Sequence, residues 1–130
     1  MILDSSAIVS VIREEKGSNL FVKAIDEAPW IAVGAPTLFE TAMVLIGRSG
    51  AAGRPALSQF LAENGIVSIP FDDRHWDLAA QAFFRYGKGR HPARLNYGDC
   101  MTYATARLAD YPLLCTGKDF AKTDLPLVFG

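Results

Sequence analysis

Short apolar runs alternate along the chain with longer segments whose apolar residues recur at helical spacing. Strands that alternate with helices in this way predict a mostly parallel sheet with helices on both faces. We therefore predict an α/β fold, a three-layer α/β/α sandwich around a mostly parallel five-stranded sheet. The predicted strands are the runs bounded by turn residues: Ile2–Leu3, Trp30–Val33, Ile66–Ile69, Leu113–Cys115 and Leu127–Phe129.

Helical periodicity fills the segments between these runs. One-sided apolar stripes, as in Trp76–Phe84, predict helices that bury one face. The segment Leu38–Ile46 is apolar nearly all round, which predicts a helix covered on several sides. Two glycines and a proline in Gly87–Pro92 predict an irregular loop after the fifth helix. The predicted helices are Ala7–Ile12, Phe21–Ala28, Leu38–Ile46, Pro55–Glu63, Trp76–Phe84 and Tyr97–Leu108.

Composition and charge indicate how many domains the chain forms and whether it contacts a membrane. The 130 residues are half apolar with a formal net charge of −1, which favours one folded domain, residues 1–130, without a strong overall field. The longest stretch without charge, Ala28–Phe39, has twelve residues, whereas a membrane span needs roughly 20. Cys100 and Cys115 match no zinc or disulfide spacing, so we expect a cytoplasmic protein with no membrane contact.

Four acidic residues fall where predicted strands end or where the following helices begin. Ligands of parallel sheets bind at the carboxyl ends of the strands, so these positions are candidates for one shared site. Few charged residues flank Asp4 and Glu40, which favours the partial burial of these two acids. The four residues are Asp4, Glu40, Asp99 and Asp119.

Each acid also has a purely structural interpretation, because acids are common at the starts of helices. Thr37–Glu40 has the spacing of a capping box, and Asn96–Asp99 has a similar pattern. Asp4 could cap the helix that follows it, and Asp119 could be a solvated turn residue. Both interpretations stay open for each acid taken alone.

Carboxylates gathered at one edge repel one another and raise each other's pKa unless a cation holds them. Oxygen ligands favour a hard cation, and a site with room for water suits Mg²⁺ or Mn²⁺. Such ions orient water and neutralise the charge that grows on a phosphodiester during hydrolysis. The four acids are therefore candidate metal ligands and catalytic residues for phosphoryl chemistry.

A basic segment supplies a candidate nucleic-acid contact. Arg85, Lys88, Arg90 and Arg94 place four of the thirteen basic residues within ten positions. These side chains could hold a phosphate backbone without reading sequence, while the tyrosines on either side stack on unpaired bases. A solvated basic loop is the alternative interpretation.

Four motifs together resemble the PIN domain ribonucleases, and within them the VapC-like toxins of bacterial type II toxin–antitoxin pairs. The resemblance spans nearly the whole chain, and its specificity comes from the combination of the motifs. The motifs are Met1–Ala7, Leu38–Ala42, Leu95–Cys100 and Pro112–Phe120.

This resemblance implies a PIN-like fold and cleavage of RNA that depends on Mg²⁺ or Mn²⁺. By resemblance, Asp4, Glu40 and Asp99 bind the metal. Asp119 matches a fourth, more variable acid that assists. Asp124 follows five residues later near the same edge and is the alternative fourth acid.

The resemblance also implies neighbours and partners. Ser6 and Thr116 match polar neighbours of the site, and a small VapB-like antitoxin would restrain the activity. The high apolar content predicts exposed apolar surface, so we expect Ala7–Ile12 and Phe21–Ala28 to form part of a groove for an amphipathic antitoxin helix. A second copy of the chain could instead cover these helices, and we expect a homodimer.

Two other classes of protein fit parts of the sequence. Haloacid-dehalogenase-like phosphatases also place an aspartate after the first strand, but they need a second aspartate two residues on, where this chain has Ser6. A non-enzymatic partner-binding module would use the acids as helix caps and the basic segment as a docking surface. Stabilisation by Mg²⁺ would distinguish a carboxylate cluster from isolated caps.

Overall fold

Four short parallel strands form the central sheet of the computed structural model, which describes residues 1–130. Every strand pairing is parallel, so the carboxyl ends of all the strands meet at one edge. The order across the sheet is β3-β2-β1-β4. The strands are β1 (Ile2–Leu3), β2 (Ala32–Gly34), β3 (Val67–Ile69) and β4 (Leu113–Leu114).

The prediction of a fifth strand is wrong. Leu127 forms one isolated bridge to Leu113, and the run Leu127–Phe129 is not a strand. Pro126, immediately before the run, has no N–H to donate to a ladder, and β4 spans two residues. The chain end therefore lies beside β4 without extending the sheet.

Six helices and two short 3₁₀ turns connect and flank the strands, and all six predicted helices are present. The fifth helix ends at Tyr86, as its glycine stop predicts. None of the helices combines the length and apolar character that crossing a bilayer requires. The helices are α1 (Ser5–Ile12), α2 (Ser18–Glu27), α3 (Ala35–Ser49), α4 (Gly53–Glu63), α5 (Asp73–Tyr86) and α6 (Tyr97–Ala109), with 3₁₀ turns at Gly50–Ala52 and Phe120–Lys122.

Alternating side chains of the strands build one hydrophobic core on each face of the sheet. Leu3 and Val33 belong to a cluster that includes buried residues of α1, α2, α3 and α4. Ile2 and Ala32, the preceding residue in each strand, belong to a second cluster with α5 and α6. Because side chains alternate along a strand, the sheet lies between two helical layers, as predicted.

Helix α5 buries a different face from the one that its apolar stripe predicts. Trp76, Phe83 and Phe84 are exposed, with Phe84 at 71% of its full accessibility. His75 and Tyr86 are buried instead. The helix therefore presents large aromatic side chains to solvent.

Helices α3 and α6 approach each other closely at the carboxyl edge of the sheet. The buried hydroxyls of Thr37 and Thr102 lie 3.0 Å apart and share a hydrogen bond. A Cβ atom on Gly34, which precedes α3, would lie 2.7 Å from Thr105 Oγ1. Small residues at these positions bring the start of α3 and the middle of α6 side by side.

Candidate active site

The predicted acids come from four separate elements at the carboxyl edge. Asp4 follows β1, Glu40 lies on α3, Asp99 lies in the first turn of α6, and Asp119 follows β4. Burial raises the pKa of Asp99, and the charges of Asp4, Glu40 and Asp119 raise it further. The four side chains therefore share one electrostatic environment.

Asp4 is the most buried of the four acids, at 5% exposure. Its Oδ2 accepts the Ser6 N–H at 3.2 Å, as a cap of α1, and the Ser6 hydroxyl at 2.5 Å. Ser6 Oγ in turn accepts the backbone N–H of Thr116 at 3.1 Å. Ser6 and Thr116, the residues predicted as polar neighbours, are thus connected to Asp4 by hydrogen bonds, although Thr116 uses its backbone and its side chain is exposed.

Glu40 is not a helix cap. Helix α3 begins at Ala35 with Gly34 as its N-cap residue, so Glu40 lies beyond the first turn. The alternative prediction of a capping box at Thr37–Glu40 is therefore wrong. The half-buried position of Glu40 is not explained by helix capping.

The Glu40 carboxylate fits tightly against α6. Burial raises the pKa of Glu40, a hydrogen bond from the Ser5 side chain lowers it, and the charge of Asp4 raises it. A Cβ atom on Gly98 would lie 2.3 Å from Glu40 Oε2. Any side chain at position 98 would therefore displace the carboxylate.

Asp99 combines a capping role with a perturbed charge. Its N–H donates to Asn96 Oδ1 at 2.9 Å, and its Oδ2 accepts the Asn96 N–H at 3.0 Å. Burial outweighs this hydrogen bond, and with the neighbouring charges it raises the pKa of Asp99 to about 6. Because this pKa exceeds the ordinary carboxyl value, ionisation of Asp99 destabilises the fold as pH rises towards neutrality.

The acids at this edge offer carboxylate oxygens, which suit a hard cation, but their side chains do not enclose a complete metal site. No three acidic, histidine or cysteine side chains surround one point closely enough to hold an ion among them. Mg²⁺, however, is commonly held by one or two carboxylates and several waters. Burial and mutual repulsion raise the pKa values of Glu40 and Asp99, so negative charge here is poorly compensated. The residues therefore fit a divalent cation bound partly through water.

Asp119 and Asp124 lie in different surroundings. Asp119 is exposed and its side chain has no hydrogen bond or ion pair, but its charge reaches Asp99. Asp124 forms an ion pair with Arg107 and accepts the Tyr103 hydroxyl at 2.6 Å. Asp119 is therefore the better placed of the two to act with the other acids.

The four basic residues predicted to bind RNA are not equally free. Arg85 lies 3.7 Å from Asp124. Arg90 folds back onto the end of α5, where its guanidinium carbon lies 5.0 Å from the centre of an aromatic ring. Lys88 and Arg94 are exposed and form no ion pair. Lys88 and Arg94 are therefore the least constrained of the four side chains.

Both cysteines lie near the acids. Burial and the charge of Asp99 raise the pKa of Cys100 to about 11. Burial and the charges of Asp4 and Asp99 raise the pKa of Cys115 to about 12. Both thiols stay protonated at neutral pH, so neither is an effective nucleophile.

Three features of this region are not predicted by the sequence patterns. Ser5 hydrogen-bonds Glu40, Gly98 makes room for it, and Tyr103 and Arg107 bind Asp124. A glycine within the first turn of a helix is a signal that could have drawn attention to Gly98. The four-residue spacing of the tyrosine and the arginine occurs on any helix surface and gives no comparable signal.

The groove predicted on α1 and α2 is present only in part, because Ala24 of α2 and Ala28, its C-cap residue, line a pocket to which α1 does not contribute. The apolar residues of α1 and Ile25 belong to the core, and Phe21 stacks on Phe129 at 6.0 Å between ring centres. A pocket of about 540 Å³ does lie beside α2, with Trp30 and Tyr111 in its wall. This pocket lies at the amino ends of the strands, opposite the acids, since Met1 and Pro112 in its wall directly precede β1 and β4.

Solved structures resemble this chain over almost its full length. VapC20 from Mycobacterium tuberculosis, described as a sarcin–ricin loop cleaving toxin, aligns with a TM-score of 0.75 and 18% identity, covering 98% of this chain and 97% of that one. VapBC2 from Rickettsia felis, bound to a promoter DNA fragment, aligns with a TM-score of 0.75 and 13% identity, covering 97% and 95%. At these identities the likeness establishes a shared fold.

Sequence similarity identifies the family as well as the fold. Residues 1–125 match the family model described as the PIN domain. The VapC ribonuclease Mb2004c of Mycobacterium bovis is 43% identical over 126 residues, covering 96% of this chain and 91% of the relative. Ribonuclease VapC of Mycolicibacterium smegmatis is 37% identical over 128 residues, covering 98% and 99%. The protein therefore belongs to the PIN domain family, among the VapC ribonucleases.

Proposed function

We propose that the protein is a Mg²⁺- or Mn²⁺-dependent endoribonuclease toxin that hydrolyses RNA phosphodiester bonds and is neutralised by a VapB-like antitoxin. The observation that carries this proposal is the half-buried Asp99, whose pKa rises to about 6 beside three other acids. Relatives named as ribonucleases support the reaction class. The proposed unit is one nuclease domain, residues 1–130, that acts on RNA in the cytoplasm.

The acids divide the proposed work according to their surroundings. Asp4, Glu40 and Asp99 would hold the cation, while the exposed Asp119 assists from the solvent side. When bound, a divalent ion supplies a water of lowered pKa and neutralises negative charge on the phosphodiester. Ser6 orients the first carboxylate through its hydroxyl, so this acid is held ready without a basic partner.

Neither alternative class of protein explains the same observations. A haloacid-dehalogenase-like phosphatase would need an acid where Ser6 stands, and Ser6 instead connects Asp4 to the Thr116 backbone. A module with acids as caps leaves Glu40 unexplained, since α3 is capped elsewhere. Both alternatives therefore account for fewer of the contacts than the nuclease does.

Loss of one metal-binding charge should abolish cleavage. Asp4→Asn, Glu40→Gln and Asp99→Asn should each lower the cleavage rate at least about 100-fold, because each removes a ligand for the cation. Partner-free protein is incubated with total RNA and Mg²⁺ or Mn²⁺, and new RNA ends are mapped. Asp26→Asn, on the exposed face of α2, is the charge-matched control. Full activity in any of the three site variants contradicts the assignment, and unfolded variants favour the role as caps.

The stability of the metal-free protein should fall as pH rises from about 4, the ordinary carboxyl pKa, to about 6, the pKa of Asp99 in the folded protein. The folded protein binds the Asp99 proton more tightly than the unfolded chain does, so folding loses stability as this proton leaves. Mg²⁺ should raise the melting temperature more at pH 7 than at pH 5, and Asp99→Asn should remove most of that difference. Thermal melts with and without Mg²⁺ measure both effects. An equal Mg²⁺ effect in the variant would show that Asp99 is not a ligand.

We further propose that the basic segment binds the RNA backbone mainly through Lys88 and Arg94. In the Asp99→Asn background, which keeps the RNA intact, Lys88→Gln with Arg94→Gln should reduce the slope of log K against log salt by about 1.4. Adding Arg85→Gln and Arg90→Gln should change the slope less, because both arginines have partners within the protein. Fluorescence anisotropy with labelled RNA gives the slopes. An unchanged slope in the first variant would exclude this contact.

We infer a homodimer through the exposed aromatic face of α5 and α6. A pocket of about 380 Å³ there is lined entirely by hydrophobic residues. Trp76, Phe83 and Tyr97 are 57%, 46% and 83% exposed. Contiguous apolar surface of this kind marks a protein interface more often than a free surface.

We also propose an antitoxin that silences the site by charge. Several structural neighbours are described as toxin–antitoxin or VapBC assemblies, which supports a partner of this kind. No basic side chain of this chain forms an ion pair with Asp4, Glu40 or Asp99. A basic residue of the antitoxin would pair with these carboxylates and compete with the cation.

Light scattering of the purified protein should give about twice the chain mass of 14.1 kDa. Trp76→Ser should yield monomers, whereas Leu20→Ser, on the exposed face of α2, should remain dimeric.

Co-expression with the product of the adjacent open reading frame should give a heavier complex that no longer cleaves RNA. A monomeric parent protein contradicts the homodimer, and a neighbour that neither copurifies nor inhibits contradicts the antitoxin.

A further inference from the structure

The loop between β4 and the chain end carries Asp119 and is fixed on both sides of it. On one side, the Thr116 N–H donates to Ser6 Oγ at 3.1 Å. On the other, Phe120 is buried at 4% exposure and its carbonyl accepts the Thr123 hydroxyl at 2.7 Å. Because the Asp119 side chain has no partner of its own, the loop determines where that carboxylate lies.

Asp124, at the far end of this loop, is held by two residues of α6. Tyr103 is buried at 4% exposure, and its hydroxyl donates to Asp124 Oδ1 at 2.6 Å. Arg107 forms an ion pair with Oδ2 of the same carboxylate. Each carboxylate oxygen therefore has its own donor, which fixes the orientation of the group as well as its position. We name the three side chains the Asp124 latch.

The helix that carries the latch also carries Asp99. Asp99, Tyr103 and Arg107 follow one another at intervals of four residues, about 6 Å of helix rise for each interval. A loop tied to the later residues is thereby placed at a defined distance from the first. Since α6 is a continuous helix, this distance changes little unless the latch opens.

We propose that Asp124 is a positioning residue that holds Asp119 near Asp99 through the latch. The inference rests on the proposed function, in which Asp119 assists the metal site. It assigns the second acid of the segment a role that differs from metal binding. Arg85, 3.7 Å from Asp124 and more than half exposed, adds a weaker contact.

A purely structural latch and a positioning latch predict different results. If Asp124 contributes to stability alone, its loss lowers the melting temperature, and the metal dependence of the folded protein does not change. If it acts through Asp119, its loss changes the metal dependence, and the effect disappears once Asp119 is neutralised. Residues that act through one another give non-additive effects in a double-mutant cycle.

The first measurement is the Mg²⁺ concentration for half-maximal cleavage in Asp119→Asn, Asp124→Asn and the double variant. Asp124→Asn should raise this concentration by about 10-fold, the range found when groups that orient a metal ligand are removed. The double variant should lie within about 2-fold of Asp119→Asn. Arg107→Lys, which keeps the charge, should restore most of the parent behaviour relative to Arg107→Gln.

The second measurement is hydrogen exchange of residues 116–122 in metal-free protein, which needs no catalysis. Asp124→Asn should accelerate exchange of these amides at least about 5-fold, because the loop opens locally more often. Asp26→Asn, the charge-matched control, should leave exchange unchanged. Tyr103→Phe removes one hydroxyl from the latch and serves if Asp124→Asn fails to fold.

The outcomes separate this inference from the function on which it rests. Unchanged loop exchange, or losses that multiply in the double variant, overturns the positioning role. If Asp119→Asn cleaves RNA with unchanged metal dependence, the assisting role of Asp119 is wrong and the latch has no catalytic consequence. If Asp119→Asn loses cleavage but the loop stays rigid in Asp124→Asn, Asp119 still assists the metal site and only the positioning role of Asp124 is wrong.

Discussion

The close approach of α3 and α6 is the constraint on which the site depends. Glu40 lies against the first turn of α6, which carries Asp99, because position 98 lacks a side chain and therefore leaves room for the carboxylate. A shared hydroxyl hydrogen bond between Thr37 and Thr102 holds the same two helices together one turn further along. The parallel sheet brings these elements to one edge, and the small residues determine how close the charges come. A bulkier contact would separate the acids without altering the topology.

The close approach of α3 and α6 brings carboxylates together, and no basic side chain of the protein compensates their negative charge. Ser5 and Ser6 supply neutral hydrogen-bond donors to Glu40 and Asp4, and no arginine or lysine pairs with these carboxylates. Neutral donors orient a carboxylate but compensate its charge less than a cation does. Arg107, by contrast, is committed to Asp124 outside the cluster. The site therefore favours either a metal ion or a positively charged group from another molecule.

The sequence predicts the layers, the six helices and the edge at which the acids meet, because hydrophobic periodicity and strand order depend on local patterns. Prediction from the sequence is wrong where a contact between residues distant along the chain determines the local structure. Leu127–Phe129 has the composition of a strand but meets a two-residue β4, and Trp76 lies on an apolar stripe that tertiary packing leaves exposed. Thr37–Glu40 has the residue types of a capping box, but α3 starts earlier, with Gly34 as its N-cap residue. Motif spacing identifies candidate acids and a glycine in the first turn of α6 draws attention to position 98, but the structure is needed to show that Glu40 occupies the space there.

The contact between Ser6 and Thr116 bears on how the chain can change over evolution. Position 116 contributes a backbone N–H, and its side chain points away from that bond into solvent. Any residue except proline can supply the same donor, so this hydrogen bond does not constrain the side chain at position 116. Ser6 has no such freedom, because its hydroxyl both donates to Asp4 and accepts from the loop. A substitution of Ser6 therefore removes two contacts at once, whereas a substitution of Thr116 by any residue other than proline keeps both.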